Sequence, residues 1–340
     1  MNKVLVVGNA GYIGGALTDL INKLDQSSNV YMGYDSLCFQ DYYLKDFPFY
    51  AGDIRDDAKL KYYLNWADTV VWLAAHVGDG ACTINPAVSL QINTERVRFL
   101  ANNFNGKIIF ASSCSVYGKN DDLLTEQSEV NPLSLYAHSK VESEKILEHK
   151  NAVILRFGTL FGKGDNYSRI RLDLVANVLT KNAYFNGEMS VFGGDQYRPI
   201  LHVRDAAYAV YGAIHGFIRA GTYNCAGPNV KLIDIAEEVK YQLPETKLNI
   251  TDIPTEDFRN YKVDCTKLRQ HMTFTAANSL KVGIAELIEL FKDGRVKDIN
   301  NPIYHNHNYF KEFRPFHDEN FEVDAETEEQ LNGLKLSSVI

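Results

Sequence analysis

The chain has 340 residues, of which 45% are hydrophobic, a composition typical of an ordinary globular protein with one large domain or two modest ones. Its net charge of −8 and pI of about 5.6 argue against nucleic acid as a partner, so an anionic ligand must be bound by local arginines or helix ends. The five cysteines have no metal-ligand spacing and are odd in number, which indicates reduced thiols, no metal site and no disulfide framework.

The sequence also predicts a soluble, cytoplasmic protein without a membrane partner. The first apolar strand begins at Val4, and no charged and apolar leader precedes it. No apolar run approaches the ~20 residues that a helix needs to span a bilayer.

The first predicted strand, at residues 4–7, leads into a glycine-rich turn and an amphipathic helix. Glycines permit a tight turn and a close backbone approach, and the helix N-terminus offers unpaired amides and a partial positive charge to a pyrophosphate. The segment therefore predicts a dinucleotide-binding turn, formed by Gly8, Gly11, Tyr12, Ile13 and Gly14.

The second predicted strand, at residues 30–34, ends at Asp35. This residue lies ~20 positions beyond the glycines, where an acidic side chain binds the hydroxyls of the adenosine ribose. Asp35 would repel a 2′-phosphate, and the next residue is Ser36 rather than an arginine. These residues predict NAD, rather than NADP, as the cofactor.

Apolar strands continue to alternate with helical stretches along the first half of the chain. Strands are predicted at residues 69–73, 107–110 and 152–157, which indicates an α/β fold with a parallel, doubly wound sheet. The pair Asn85-Pro86 supplies a cap and a first-turn proline for a long helix over residues 87–102.

A hydroxyl, a phenol and an ammonium follow at a spacing suited to hydride transfer: Ser113, Tyr136 and Lys140. Residues 134–149 are predicted to be helical, so Tyr136 and Lys140, four positions apart, project from the same side. A phenol has a reference pKa near ~10 and can act as a base near neutrality only if a fixed positive charge favours its phenolate. Lys140 is the predicted source of that charge.

Beyond residue 162 the elements become shorter and less even, which predicts a separate substrate-binding lobe. We predict a cofactor domain at residues 1–162 with a return segment near 198–218, a lobe formed by residues 163–197 and 219–300, and a C-terminal extension at 301–340. The extension has the composition of a partly extended arm, either a subunit contact or loosely ordered.

Four further motifs lie at residues 52–56, 73–78, 155–162 and 198–205. Together with the glycine turn and the Tyr136/Lys140 pair, they resemble the extended short-chain dehydrogenases/reductases of the NAD-dependent epimerase/dehydratase family, which modify nucleotide sugars. The resemblance covers nearly the whole chain. It implies a Rossmann-type sheet with a smaller, mixed α/β C-terminal lobe, and a homodimer in which helices 87–102 and 134–149 form a four-helix bundle.

The resemblance also implies roles for individual residues. Ser113 and Tyr136 align with the family's catalytic Ser/Thr and base, and Lys140 with the lysine that also holds the nicotinamide ribose. Asp53 and Ile54 align with the adenine contacts, and Arg198 with an arginine that binds the nucleotide diphosphate. The other implied contacts are Leu73, Ala74 and Ala75 for the cofactor, and Val77, Arg169 and Arg171 for the substrate.

The family chemistry implies that Tyr136 takes the proton of a sugar hydroxyl, most often at C4, while the hydride passes to the nicotinamide. The 4,6-dehydratases carry Asp-Glu directly after the catalytic Ser/Thr, as the acid and base that expel water. This chain has Cys114-Ser115 there, so we expect no ordinary dehydration. Cys114 is expected to be part of the pocket wall.

Several outcomes stay open for the 4-keto intermediate. We expect a nucleotide-sugar 4-epimerase, with a C4 dehydrogenase that releases the keto sugar as the alternative. Epimerisation at C3 or C5 would need a further acid/base pair, for which the candidates are Cys114, His76, His138 and His202. Of these, His76 and His202 fit a structural role better. His138 is expected to face away from Tyr136. A non-catalytic NAD sensor and a reductase of small ketones are disfavoured by the intact catalytic residues and by Arg198, respectively.

Overall fold

The computed structural model describes residues 1–40, 43–251, 259–272 and 277–313. The strands are β1 (Lys3–Val7), β2 (Val30–Asp35), β3 (Phe49–Ala51), β4 (Thr69–Trp72), β5 (Lys107–Ser113), β6 (Lys119–Leu124), β7 (Ala152–Phe157), β8 (Thr159–Phe161), β9 (Glu188–Phe192), β10 (Tyr197–His202), β11 (Gly221–Cys225), β12 (Asn229–Lys231), β13 (Lys247–Thr251) and β14 (Asn260–Val263).

The helices are α1 (Tyr12–Leu24), α2 (Asp57–Trp66), α3 (Asp79–Cys82), α4 (Pro86–Leu90), α5 (Arg96–Asn103), α6 (Leu135–Leu147), α7 (Val175–Asn186), α8 (Val203–Ile214), α9 (Leu232–Gln242), α10 (Thr266–His271), α11 (Leu280–Lys292) and α12 (Asn306–Phe313). A π-helical turn at Gln91–Glu95 joins α4 to α5, and 3₁₀ turns lie at Cys114–Tyr117 and Pro302–Tyr304. No helix in the described part of the chain has both the length and the apolar character needed to cross a membrane.

The large sheet has seven parallel strands in the order β11-β7-β5-β4-β1-β2-β3. Successive side chains of a strand point to opposite faces, and β1 accordingly contributes Val4 and Val6 to one hydrophobic cluster and Leu5 and Val7 to another. A strand that is apolar on both faces requires cover on both faces. Helices α1 and α8 belong to one cluster and α2 and α5 to the other, so the predicted doubly wound α/β fold is confirmed.

The strand order reverses at β1, because β2 follows it on one side and β4 on the other. In an open parallel sheet, the loops that leave such neighbouring strands diverge and open a crevice at the carboxyl edge. The glycine turn, Asp35 and Ser113 all stand at this edge, since each follows or ends a strand of the large sheet.

The described residues also form three small sheets, of strand orders β12-β10-β8, β13-β9 and β14-β6. Helices α7, α9 and α11 pack together over a separate hydrophobic cluster. One part of our division of the chain is wrong: β11 lies within the predicted lobe segment 219–300 but forms the edge strand of the large sheet. Its Tyr223, Asn224 and Cys225 are buried there, beside β7.

The long helix predicted over residues 87–102 runs from Pro86 to Asn103 and includes the π turn. Asn85 caps it as expected, since its side chain accepts a hydrogen bond from the Val88 amide at 3.1 Å. The π turn contains the buried Asn93, whose side chain accepts from the His76 amide at 2.8 Å and donates to the His76 carbonyl at 2.9 Å. The turn therefore fixes the loop that follows β4.

The C-terminal extension differs from the expected extended arm. Residues 302–313 form a 3₁₀ turn followed by α12, and Asn306 and Phe310 of this helix are buried against the rest of the protein. Asn301 caps the turn by accepting from the Ile303 amide, and Pro302 occupies its first position. The rest of the predicted extension, residues 314–340, lies outside the described residues.

Candidate active site

Ser113, Tyr136 and Lys140 meet at the carboxyl edge of the large sheet. Ser113 ends β5, and its hydroxyl oxygen accepts from the amide and the hydroxyl of Ser115, at 3.1 and 2.9 Å. Tyr136 and Lys140 project from the same side of α6, and the Lys140 ammonium lies 5.7 Å from the centre of the Tyr136 ring. Ser134 begins this helix, because its side chain accepts from the Ala137 amide at 3.2 Å.

Burial is the dominant influence on both ionisable groups of this trio. It raises the pKa of Tyr136, and Asp79 raises it further, whereas Arg171 and a hydrogen bond with Ser113 lower it. Burial also lowers the pKa of Lys140 to about 8, and its ammonium donates to the Ala111 carbonyl at 2.7 Å. Near neutrality the site therefore contains a protonated phenol and a cation that titrates close to the working pH.

A buried polar network holds together the two elements that carry Ser113, Tyr136 and Lys140. The Glu144 carboxylate accepts from the Ser112 hydroxyl at 2.5 Å and pairs with the Arg156 guanidinium at 2.6 Å. Glu144 lies one helical turn beyond Lys140, and Arg156 lies on β7 beside β5. The network therefore ties the helix that carries Tyr136 to the strand that carries Ser113.

The glycine turn fits a dinucleotide phosphate. A Cβ at Gly8 would lie 2.6 Å from the Ala74 amide nitrogen, and one at Gly14 would lie 2.2 Å from the Gly8 carbonyl oxygen, so both positions are closed by backbone. A Cβ at Gly11 would meet only the Gly8 carbonyl oxygen, at 3.2 Å. Gly11 is the N-cap of α1 and offers no side-chain cap, so the helix N-terminus keeps amides for an anion.

Asp35 stands beside this turn, at the end of β2. Its carboxylate accepts from the amides of Ala10 and Leu37, at 3.1 and 2.9 Å. Burial raises the pKa of this carboxyl group, while the amide donors lower it. The position suits recognition of ribose hydroxyls, which donate hydrogen bonds to a carboxylate.

All of the predicted site residues surround one cavity of about 1710 Å³. The cofactor contacts among them are Gly8, Gly11, Tyr12, Ile13, Gly14, Asp35, Asp53, Ile54, Leu73, Ala74, Ala75, Tyr136 and Lys140. The substrate contacts are Val77, Ser113, Arg169, Arg171 and Arg198. Their convergence is a finding, whereas the individual roles of these residues stay predictions.

The predicted substrate arginines have protein partners in this structure. Arg171 forms a bidentate pair with Asp173, at 2.9 and 3.0 Å, and this pair lowers the pKa of the Asp173 carboxyl group to about 2 although burial raises it. Arg198 donates to the Tyr197 carbonyl at 3.0 Å and to the Arg259 carbonyl. Buried, pre-positioned guanidinium groups of this kind bind phosphates with little loss of side-chain entropy.

Cys114 does not form part of the pocket wall, contrary to expectation. The strand turns at Ser113, so Cys114 points into a hydrophobic cluster and its thiol donates to the Arg156 carbonyl at 3.1 Å. Burial raises the pKa of this thiol well above its usual range, which keeps it protonated. Ser115, and not Cys114, lines the cavity.

The histidine candidates for an additional acid/base pair lie outside the cavity wall. His76 and His202 are buried, and burial lowers the pKa of each to about 4. The His76 ring bonds the Ser89 hydroxyl at 2.8 Å, and the His202 ring bonds the Glu286 carboxylate at 3.1 Å. These contacts agree with the structural interpretation of both residues.

The cavity wall also contains residues that the sequence analysis missed. Asp79 and Arg259 form an ion pair of 2.9 Å on the wall, and Asp79 also accepts from the Ser134 hydroxyl at 2.5 Å. Asn306 and Phe310 of α12 line the cavity as well. A lone aspartate or arginine gives no sequence signal, but the run of asparagine, histidine and aromatic residues at 304–310 is unusual for a solvent-exposed tail.

The NAD dependent epimerase/dehydratase family matches residues 4–226, about two thirds of the chain. The chain belongs to this family. It is therefore an NAD-dependent enzyme, as the glycine turn and Asp35 predicted. The match ends directly after β11, so it includes nearly all of the large sheet together with Ser113, Tyr136 and Lys140.

Individual relatives match most of the chain. An uncharacterised UDP-glucose epimerase of Bacillus subtilis is 27% identical over 316 residues, covering 84% of this chain and 96% of that protein. A dTDP-glucose 4,6-dehydratase of Streptomyces niveus is 25% identical over 329 residues, covering 86% and 94%. The crystal structure of UDP-glucuronic acid 4-epimerase from Bacillus cereus, in complex with UDP-glucuronic acid and NAD, has a TM-score of 0.73 at 23% identity and covers 86% of this chain and 99% of its own.

Proposed function

We propose that this enzyme is a nucleotide-sugar 4-epimerase that oxidises C4 of a sugar transiently with bound NAD. The observation that carries the proposal is the convergence of Ser113, Tyr136 and Lys140 on the same cavity as the NAD turn. The relatives include epimerases of UDP-glucose and UDP-glucuronic acid, which supports the same class of reaction.

In the proposed reaction, Tyr136 accepts the proton of the C4 hydroxyl, and NAD, when bound, accepts the C4 hydride. Ser113 hydrogen-bonds the same C4 oxygen and orients it. Lys140 supplies the positive charge that favours the Tyr136 phenolate and can also bond the nicotinamide ribose. The epimer would result when the hydride returns to C4 on its opposite face and the Tyr136 phenol returns the proton to the C4 oxygen.

The substrate proposed for this cavity is a nucleoside diphosphate sugar. Arg198 and Arg259 lie on the cavity wall in contact with each other. Because the chain as a whole carries net negative charge, a diphosphate requires a local cluster of positive side chains, and these two arginines provide one. Arg171 lies within electrostatic reach of Tyr136 and belongs to the sugar end of the proposed site.

Dehydration is disfavoured by the residues that follow Ser113. A 4,6-elimination needs a base for the C5 proton and an acid for the departing hydroxyl. Cys114 points away from the cavity. Ser115 is uncharged, and its hydroxyl donates a hydrogen bond to the Ser113 hydroxyl oxygen. Neither residue can act as that base at neutral pH.

The test is to incubate the purified enzyme with NAD and UDP-, dTDP-, GDP- and CDP-linked sugars, and to follow product mass and nicotinamide absorbance together, with Tyr136→Phe as the control. We expect an isomer of unchanged mass without net NADH formation. Loss of two hydrogens with accumulating NADH would instead establish a C4 dehydrogenase, and loss of water would overturn the argument from Cys114 and Ser115.

A further inference from the structure

Residues 302–313, which we call the C-terminal strap, connect two loops that leave the large sheet. At the loop after β2, Phe39 packs against Tyr309 and Phe310 with ring centres 4.6 and 5.6 Å apart, and the Tyr309 hydroxyl donates to the Cys38 carbonyl. These contacts lie within four positions of Asp35, the predicted ribose ligand.

The same strap also holds the loop after β4. The Asn306 side chain donates to the Val77 carbonyl at 2.5 Å, and the His307 ring donates to the Gly80 carbonyl at 2.9 Å. Phe310 packs edge-on against the His76 ring, with centres 4.0 Å apart. The strap is therefore anchored on both of these loops.

The sheet order determines what lies beneath the strap. Strand β1, with the glycine turn, lies between β2 and β4. A segment that bonds the loops on either side must cross the crevice above that turn, where a dinucleotide pyrophosphate binds. Residues His305, Asn306, His307, Asn308 and Phe310 of the strap line the same cavity as the turn.

Arg169 couples the strap to the cavity. Its guanidinium group lies 3.4 Å from the Phe39 ring centre and donates to the Ile303 carbonyl at 3.0 Å and to the Asn306 side chain at 2.5 Å. Its Nη2 atom is buried and has no hydrogen-bond partner among the residues that the structure describes. A buried donor of this kind is costly unless a ligand satisfies it, and an anionic phosphate suits a guanidinium.

We propose that the C-terminal strap is part of the cofactor-binding site and slows the release of NAD by covering it between the two loops. The assignment extends the site beyond the segment that the family match covers, which ends at residue 226. It also has a consequence that rests on the proposed function. An epimerase must keep NADH until the hydride returns to C4, so a loosened strap would let NADH and the 4-keto sugar escape.

The test measures cofactor exchange in the full-length protein without any sugar. The enzyme is loaded with carbon-14-labelled NAD, mixed with excess unlabelled NAD, and sampled for retained label over time. We expect Phe310→Ala to release NAD at least about tenfold faster, since changes in affinity are expressed mainly in the dissociation rate. Tyr309→Phe, which removes the hydroxyl and with it the bond to the Cys38 carbonyl, is expected to release NAD faster by a smaller factor. Lys311→Ala, on the exposed side of α12, is the matched control.

The rates of NAD association and release distinguish a strap that covers bound NAD from a substitution that distorts the NAD site. Weakening a cover makes release faster and leaves NAD association unchanged or faster, whereas distortion makes association slower. Wild-type exchange rates in both Tyr309→Phe and Phe310→Ala, with melting temperatures unchanged, would overturn the proposal, as would faster release combined with slower association. If Phe310→Ala does not fold, Tyr309→Phe decides alone. Because no sugar is present, the result does not depend on which reaction the enzyme catalyses.

Discussion

Lys140 is buried and Tyr136 is partly buried beside it, and loss of solvent disfavours the charged form of each. It raises the pKa of the phenol and lowers that of the ammonium to about 8. The proposed base catalysis needs both charged forms together, which is favourable only because the phenolate and the ammonium compensate each other in a medium of low dielectric constant. The chemistry therefore depends on the pair and not on either residue alone.

Replacing Tyr136 by phenylalanine separates catalysis from cofactor binding. We expect Tyr136→Phe to lower kcat by about 10²- to 10⁴-fold, which is the usual contribution of a general base to the rate. NAD affinity should stay nearly unchanged. Asp35→Ala is the complementary variant, because it removes the ribose ligand and should weaken NAD binding. Calorimetric titration with NAD and steady-state kinetics measure the two effects. If Tyr136→Phe kept most of its activity, the proposed mechanism would be wrong even though the fold is right.

The pKa of Lys140 bears on the pH profile because the proposed mechanism needs a Tyr136 phenolate beside a Lys140 ammonium. Burial lowers the pKa of Lys140 to about 8 and raises that of Tyr136 above its usual range. The fraction of enzyme with Tyr136 ionised and Lys140 still charged therefore increases with pH up to about 8 and then levels off, because further loss of the Lys140 proton is offset by further ionisation of Tyr136. We expect kcat/KM for sugar oxidation to rise with an apparent pKa near 8 and to reach a plateau above it. A profile that stays flat from about pH 6 to pH 9 would contradict the assigned roles of the pair.

Helix α6 is the element that aligns the site, because it carries both Tyr136 and Lys140. Ser134 caps its N-terminus and also donates to Asp79, the first residue of α3. The Ser134 side chain therefore both begins α6 and bonds to the part of the cavity wall that Asp79 forms.

Removing this cap should affect stability and activity together. Ser134→Ala is expected to lower the free energy of unfolding by roughly 0.5–2 kcal/mol, the usual cost of losing a helix cap. Ser279→Ala is the matched control, since Ser279 caps α11 in the other lobe through a bond of 3.4 Å to the Val282 amide. Urea unfolding and kcat/KM should show that both variants lose stability and only Ser134→Ala loses activity. Equal activity in the two variants would mean that the Ser134 contact to Asp79 has no part in the site.

At the scale of the whole molecule, the resemblance to the family implies assembly through two helical stretches. The structure has these stretches at Pro86–Leu90 continuing to Asn103, and at Leu135–Leu147. We predict a homodimer held by a four-helix bundle formed from them. Multi-angle light scattering should give about twice the chain mass of 38.4 kDa. A single species of monomer mass at working concentration would refute this prediction.

The sequence by itself determined the large sheet, and it predicted the NAD turn and the site formed by Ser113, Tyr136 and Lys140, because each depends on local signals. Apolar runs such as that of β4, glycines spaced three apart after a strand, and a four-residue spacing on one helix are all patterns formed by neighbours in the chain. The domain boundaries were predictable only in part, because β11 has just five residues and joins the large sheet through pairing with the distant β7.

The tertiary structure alone decided the remaining features of the site. Cys114 follows Ser113 directly, yet it points into the core because the chain turns at the end of β5. Arg259 and Asp79 meet across the cavity, and the strap reaches back more than 200 residues along the chain to the loops after β2 and β4. Such contacts depend on the packing of elements that are distant in sequence. Local propensity and periodicity contain no information about them, because they describe only how each element folds and not which elements meet.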